Sequence, residues 1–182
     1  MKIQPTAIAG CFEIIPNIIS DNRGSFVKTY HREIFEQSGL ETDWREEYHS
    51  SSHKGVLRGL HFQLPPHDHA KLVYCTSGEV LDVVLDLRVG SAAYGTHVMF
   101  RLNSVDAHMV YIPKGCAHGF YTVSDTATMM YKVSTVYAPT HDAGLLWNSV
   151  GIQWPDANPV MSDRDKAFPA FAEFLSNPFV FR

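Results

Sequence analysis

The stretch Lys71-Leu72-Val73-Tyr74-Cys75-Thr76-Ser77-Gly78-Glu79-Val80-Leu81-Asp82-Val83-Val84-Leu85-Asp86-Leu87 decides the fold class. Two runs rich in Val, Leu and Tyr meet at Thr76-Ser77-Gly78, where Gly78 is free to take the positive φ that a tight turn needs. The reading is a hairpin of strands Lys71–Cys75 and Glu79–Leu87. Working outward, Thr96–Leu102, His108–Ile112, Gly119–Val123 and Thr128–Tyr137 have the same character. Asn103-Ser104, Pro113-Lys114-Gly115 and Ser124-Asp125 separate them as turn signals. Short, closely spaced strands predict a mainly β chain, a sandwich or jelly-roll barrel. Two segments read as short peripheral helices. His31–Ser38 is followed by Gly39, a suitable C-cap. Ser162-Asp163-Arg164-Asp165 places an N-cap Ser three residues before an acid, opening a helix that Pro169 shortens or kinks.

The 182 residues fit one domain spanning 1–182, with a jelly-roll core over about 45–140. Hydrophobic residues make up 45% and charged residues 19%, which suits a folded globular chain rather than a disordered one. Fifteen Lys and Arg against nineteen Asp and Glu give a net charge of −4. With no cationic run, the chain is not expected to bind nucleic acid by phosphate neutralisation. A small anion held by a few placed cations remains compatible. No run approaches the roughly 20 apolar residues of a membrane helix, and Met1-Lys2-Ile3-Gln4-Pro5 lacks a signal-peptide pattern. Cys11, Cys75 and Cys116 are irregularly spaced and read as reduced, buried thiols. The expected location is cytoplasmic, without membrane contact.

Ten histidines invite a search for chemistry. In Val56-Leu57-Arg58-Gly59-Leu60-His61-Phe62-Gln63, strand alternation groups Arg58 with Leu60 and Phe62, and His61 with Gln63 on the other face. A bulge at Gly59 would change that grouping. Pro113-Lys114-Gly115-Cys116-Ala117-His118 matches the Pro-x-Gly-x-x-His half of the cupin signature. His67-Asp68-His69 resembles the other half, which would complete a three-His metal site with His118. Lys71, however, stands seven residues before Gly78, where that pattern has its metal-binding Glu. An inward ammonium repels a divalent ion, so no metal is expected. His67 and His69 then lie on a loop after Pro65-Pro66, solvated or near a ligand. Lys71 reads either as a surface strand Lys or as a fixed positive charge facing developing negative charge on an oxygen. Tyr131 reads either as a core Tyr or as an inward proton donor.

Across nearly the whole chain these pieces resemble the dTDP-4-dehydrorhamnose 3,5-epimerase family. The resemblance runs through Asp21-Asn22-Arg23-Gly24, His49-Ser50, Val56–Gln63 and Lys71-Leu72-Val73. It continues through Gly78-Glu79-Val80, Asp86-Leu87-Arg88, Ile112-Pro113 with Gly115, and Ala117–Phe120. Tyr131-Lys132, Tyr137-Ala138-Pro139, Leu146-Trp147-Asn148, Gly151-Ile152, Trp154-Pro155 and Ser162–Asp165 close it. It implies a homodimeric cupin-type jelly roll that needs no metal or redox cofactor.

The implied reaction is epimerisation of a nucleoside-diphosphate 4-keto-6-deoxyhexose at C3 and C5, with C3 alone as the alternative. The C4 ketone acidifies both neighbouring positions, since either deprotonation gives an enolate with charge on O4. The resemblance makes His61 the base, Asp165 the carboxylate that orients it, Lys71 the enolate partner and Tyr131 the acid on the opposite face. A capping role is the rival for Asp165. Arg58 and Arg23 suit the diphosphate. Phe26 suits a nucleobase stack, with a core Phe as its rival. Gln63 and His118 are sugar-facing candidates, His118 first as a structural residue. Lys28 stands where the family commonly has an acid, and Glu46-Glu47-Tyr48 where it commonly has Gln-Asp-Asn. Those positions border the base and ribose, which admits CDP or GDP beside dTDP. A ketoisomerase, a His-ligated metal cupin and a non-catalytic sugar-nucleotide binder are the competing readings.

Overall fold

The computed structural model describes residues 1–176 and Phe181. Two antiparallel sheets face each other. One comprises β1 (Lys2–Pro5), β2 (Phe12–Ile15), β5 (Glu46–His53), β7 (Lys71–Ser77), β10 (Met109–Ile112) and β12 (Thr126–Val133). Its order is β1-β2-β10-β7-β12-β5. The other comprises β6 (Leu57–Gln63), β8 (Glu79–Asp86), β9 (His97–Asn103), β11 (Cys116–Thr122) and β13 (Asp142–Gly144), in the order β13-β6-β11-β8-β9. A separate hairpin pairs β3 (Ile18–Asp21) with β4 (Gly24–Val27). The chain is mainly β, as its turn spacing predicts. Strands from residues 2–15 complete the six-stranded sheet, so the sandwich reaches beyond the expected 45–140 core.

One apolar cluster lies between the sheets, with Val73, Cys75, Val84, Val110, Ile112, Phe120 and Met129 among its members. Leu72, Tyr74, Met109 and Tyr111 point the other way and pack under Phe35 of α1 (Arg32–Gln37) and Leu40. Leu60, Phe62, Val83, Leu85 and Ala117 likewise pack under Leu145, Ile152, Phe174 and Phe181. Both faces of the central strands are thus covered, which is why Lys71–Cys75 is buried throughout rather than alternating. Cys11, Cys75 and Cys116 are free and buried.

The expected hairpin at Thr76-Ser77-Gly78 is corrected: β7 and β8 belong to different sheets. Gly78 adopts φ +77° as expected, but the chain crosses there from one sheet to the other. A Cβ at Gly78 would lie 2.0 Å from the Thr126 carbonyl oxygen, so the corner admits no side chain. A short glycine turn between apolar runs is equally compatible with a hairpin and with such a corner, and packing decides. The helices fall where expected. α1 ends at Ser38 with Gly39 at φ +68°. Ser162 caps α2 (Asp163–Lys166), accepting the Asp165 N–H, and α3 (Phe171–Ser176) begins just beyond Pro169.

Candidate active site

A cavity of about 370 Å³ is lined by residues of both sheets. Strand phase explains its polar wall. Lys71 shares the inward phase of Val73 and Cys75, His118 that of Cys116 and Phe120, and Tyr131 that of Met129 and Val133. Near one end of the sandwich, inward positions that hold apolar groups elsewhere carry an ammonium, an imidazole and a phenol.

β6 needs a different explanation. His118 pairs with His61, but Phe120 pairs with Arg58, so β6 carries one extra residue at Gly59. Gly59 has φ +134°, and a Cβ there would lie 2.5 Å from Gly119 Cα. The extra residue reverses the alternation on one side of the bulge, and Arg58 joins His61 and Gln63 at the cavity. The simple grouping of Arg58 with Leu60 and Phe62 is thereby corrected.

Asp165 reaches the bulge from α2. Its Oδ2 accepts the Gly59 N–H at 3.1 Å, and its Oδ1 lies 2.9 Å from His61 Nε2. A carboxylate only accepts, so Nε2 carries the proton and Nδ1 keeps its lone pair. Burial pushes the His61 pKa down, outweighing the opposite effect of Asp165. Burial also acts to raise the Asp165 pKa, but the hydrogen bonds from His61 and Gly59 help hold it below the ordinary value. The pair is a neutral imidazole beside an ionised carboxylate. The cap at Ser162 and the contact with His61 coexist: the Asp165 backbone serves one, its side chain the other.

Lys71 is 6% exposed, and its Nζ donates to the His61 carbonyl at 3.3 Å. The surface-Lys reading fails. Burial brings its pKa down to about 8, opposed by the charges of Asp142 and Asp82. The Tyr131 hydroxyl lies 3.0 Å from Ser50 Oγ, and burial raises its pKa, keeping it protonated. His118 Nε2 lies 2.6 Å from Asp82 Oδ2, with both side chains buried. Arg58 donates from Nε to Ser52 Oγ. Gln63 Oε1 accepts the Ala138 N–H and its Nε2 donates to the His67 carbonyl, tying the loop to β6. Glu46 and Tyr48 also line the cavity. Glu47 instead pairs with Lys132.

Arg23, Phe26 and Lys28 do not join them. The separate β3–β4 hairpin carries Arg23 and Phe26, with Lys28 exposed just beyond it. Arg23 pairs with Asp21, and Phe26 is 60% exposed, which removes the core-Phe reading. The sequence reading missed Asp142 and Arg164, whose ion pair at 2.7 Å lines the cavity. Arg164 had a signal, since it precedes Asp165 on the same short helix. Asp142 had none, because its place depends on β13 pairing with β6. His69 lines the cavity with Nδ1 3.2 Å from both Gln63 Nε2 and Thr135 Oγ1. Burial and then Lys71 push its pKa down to about 3. His67 packs on His141. Among the described residues, no three His, Cys, Asp or Glu side chains are grouped to hold a metal ion.

A base with a lone pair, a buried ammonium and a protonated phenol around one cavity suit proton transfer at carbon next to a carbonyl. The His61 imidazole and the Tyr131 phenol come from opposite sheets. Comparison with known proteins agrees. The family model described as dTDP-4-dehydrorhamnose 3,5-epimerase matches residues 5–173. The chain is 39% identical to the dTDP-4-dehydrorhamnose 3,5-epimerase of Shigella flexneri over 168 residues, covering 91% of this chain and 93% of that one. It is also 39% identical to the dTDP-4-dehydrorhamnose 3-epimerase of Streptomyces niveus, covering 95% and 85%. Among solved structures, the epimerase of Mycobacterium tuberculosis superposes with a TM-score of 0.95 at 36% identity, covering 100% and 94%. This fold is the cupin-like jelly roll of that relative. The chain belongs to the dTDP-4-dehydrorhamnose 3,5-epimerase family, and is an isomerase that acts as a 3,5- or 3-epimerase on a nucleotide-linked 4-keto-6-deoxyhexose.

Proposed function

We propose that His61 Nδ1 removes the proton at C3 of the 4-keto sugar, that Lys71 holds the enolate oxygen O4, and that Tyr131 returns a proton to the opposite face. The observation that carries this reading is that His61 and Tyr131 stand on different sheets, with His61 anchored to Asp165 at 2.9 Å. Asp165 stabilises the imidazolium formed after proton removal. The Lys71 ammonium, shielded from water, interacts more strongly with the developing alkoxide than it would in solvent. The same steps at C5 require the sugar to re-seat so that C5 replaces C3 beside His61. No step calls for a metal or redox cofactor, because the ketone supplies the acidity.

Among the described residues, Arg58 and Arg164 are cavity-lining guanidinium groups suited to the diphosphate. The carrier nucleotide is taken as dTDP. Solved relatives from Bacillus anthracis and Legionella pneumophila are described with TDP and with dTDP-4-keto-L-rhamnose bound. A homodimer gives Arg23 and Phe26 a role: the β3–β4 hairpin, with Ile19 64% and Phe26 60% exposed, would meet the substrate of a second copy. His69 at the cavity wall favours one competing reading, a ketoisomerase. Its Nδ1 is engaged and its ring stays neutral, which suits it poorly to shuttling protons.

The test is proton NMR in deuterated water with 4-keto-6-deoxyhexoses on dTDP, CDP and GDP. Deuterium entering C3 supports the reading, and the preferred nucleotide names the carrier. A carbonyl migrating to C3 would establish the ketoisomerase instead. A His61→Ala protein exchanging as fast as wild type would refute the assignment of the base.

A further inference from the structure

β5 presents Glu46, Tyr48 and Ser50 two residues apart, and all three line the cavity. Tyr48 is the direct cross-strand neighbour of Tyr131. Their rings stack, with centroids 4.8 Å apart and planes 19° from parallel. Ser50, the next residue on that face, meets the Tyr131 hydroxyl at 3.0 Å. His118 sets its ring edgewise to Tyr131 at 6.2 Å and 71°, and is itself fixed to Asp82. The ring face and the hydroxyl of Tyr131 are both engaged by neighbouring inward residues of β5, and His118 packs against the ring as well.

The proposed reaction places acidic hydrogens on both sides of C4. One phenol serves both carbons only if the sugar re-seats or the hydroxyl follows it. Proton transfer is unforgiving of placement, since a displacement of about 1 Å costs on the order of 10²-fold in rate. A ring clamped on its face resists the swing that would let its hydroxyl follow. We infer that Tyr48 is a positioning residue that holds Tyr131 for proton delivery at C3, so that this chain exchanges C3 quickly and C5 slowly. The inference rests on the proposed reaction and departs from the expectation of turnover at both carbons. C3 is the favoured carbon because the relatives above are named for action at C3 alone or at C3 with C5.

The experiment compares wild type, Tyr48→Phe, Tyr48→Asn and Tyr48→Ala with dTDP-4-keto-6-deoxyglucose in deuterated water. It reads the ratio of C5 to C3 exchange, with thermal melting run in parallel. Tyr48 is 43% exposed on an edge strand, so all three variants should fold. Wild type is expected to exchange C5 at least about 10-fold more slowly than C3. Asn and Ala, which remove the stack, should raise the ratio by on the order of 10-fold, while Phe, which keeps it, should leave the ratio unchanged. A merely structural role would slow both exchanges together without moving the ratio. Any of these results would overturn the inference: comparable exchange at both carbons in wild type, an unmoved ratio in Asn and Ala, or a Phe variant shifted as far as Asn. No exchange at either carbon in wild type would overturn it along with the proposed reaction, and exchange at C3 with an unmoved ratio would overturn it alone.

Discussion

His61 Nε2 lies 2.9 Å from Asp165 Oδ1 across 104 residues of sequence. The same carboxylate accepts the Gly59 N–H, so one acid fixes both the imidazole and the bulge that aligns it. This arrangement sets the tautomer of the imidazole: the carboxylate claims the Nε2 proton and leaves the Nδ1 lone pair free.

Asp165→Asn should retain the fold, because the amide oxygen still accepts the Gly59 N–H. It no longer stabilises an imidazolium, and its NH2 group favours the tautomer with the lone pair on Nε2. The C3 exchange rate should fall by about 10²- to 10⁴-fold, the usual worth of a positioned proton-transfer group. Melting measured beside the exchange assay checks that the loss is chemical. A variant within threefold of wild type would contradict the role given to Asp165.

The pH profile of exchange should be bell-shaped. The His61 pKa is lowered, so the neutral base persists below the ordinary histidine value of about 6.5 before acid removes it. Lys71 loses its charge as pH rises through about 8, and enolate stabilisation goes with it. Rates measured from pH 5 to pH 10 should show an acid limb below about 6.5 and an alkaline limb near 8.

Lys71→Met should abolish turnover yet stabilise the fold. A buried ammonium, which has one long hydrogen bond to the His61 carbonyl and the more distant charges of Asp142 and Asp82, is replaced by an apolar side chain of similar length. A gain of about 1 kcal/mol raises Tm by roughly 2–4 °C at this chain length. Between pH 8 and the ordinary lysine value of 10.5, the unfolded chain binds more protons at this site than the native one. The Lys71 contribution therefore grows more favourable as pH rises through that window. Wild type should show this slope in melting experiments, and the Met variant should lack it.

Gly59→Ala tests the bulge. The new Cβ would meet Gly119 Cα at 2.5 Å and hold φ +134°, a conformation essentially reserved for glycine. A cost of about 3 kcal/mol is expected, with Tm lowered by roughly 6–12 °C. Exchange should fall as well, because Arg58 and the Asp165 contact both depend on the extra residue. An unchanged Tm would show that the strand relaxes there.

By itself the sequence determined the two-residue alternation of the regular strands, β6 excepted, and left Lys71 and Tyr131 with two readings each. Lys71, His118 and Tyr131 fall in the inward phase of apolar neighbours, and residue identity at a two-residue period is local information. Gly78 and Gly39 announced their positive φ for the same reason. The tertiary structure alone decided the rest. Which sheet follows the Gly78 corner, whether Gly59 bulges, and which carboxylate meets His61 depend on distant segments competing for the same hydrogen bonds and apolar surface. Tyr48 read as a position near the nucleotide until pairing of β5 with β12 set it on Tyr131. Arg23 and Phe26 carry the family's pattern, yet their hairpin belongs to neither main sheet, and no local rule fixes where such an arm points.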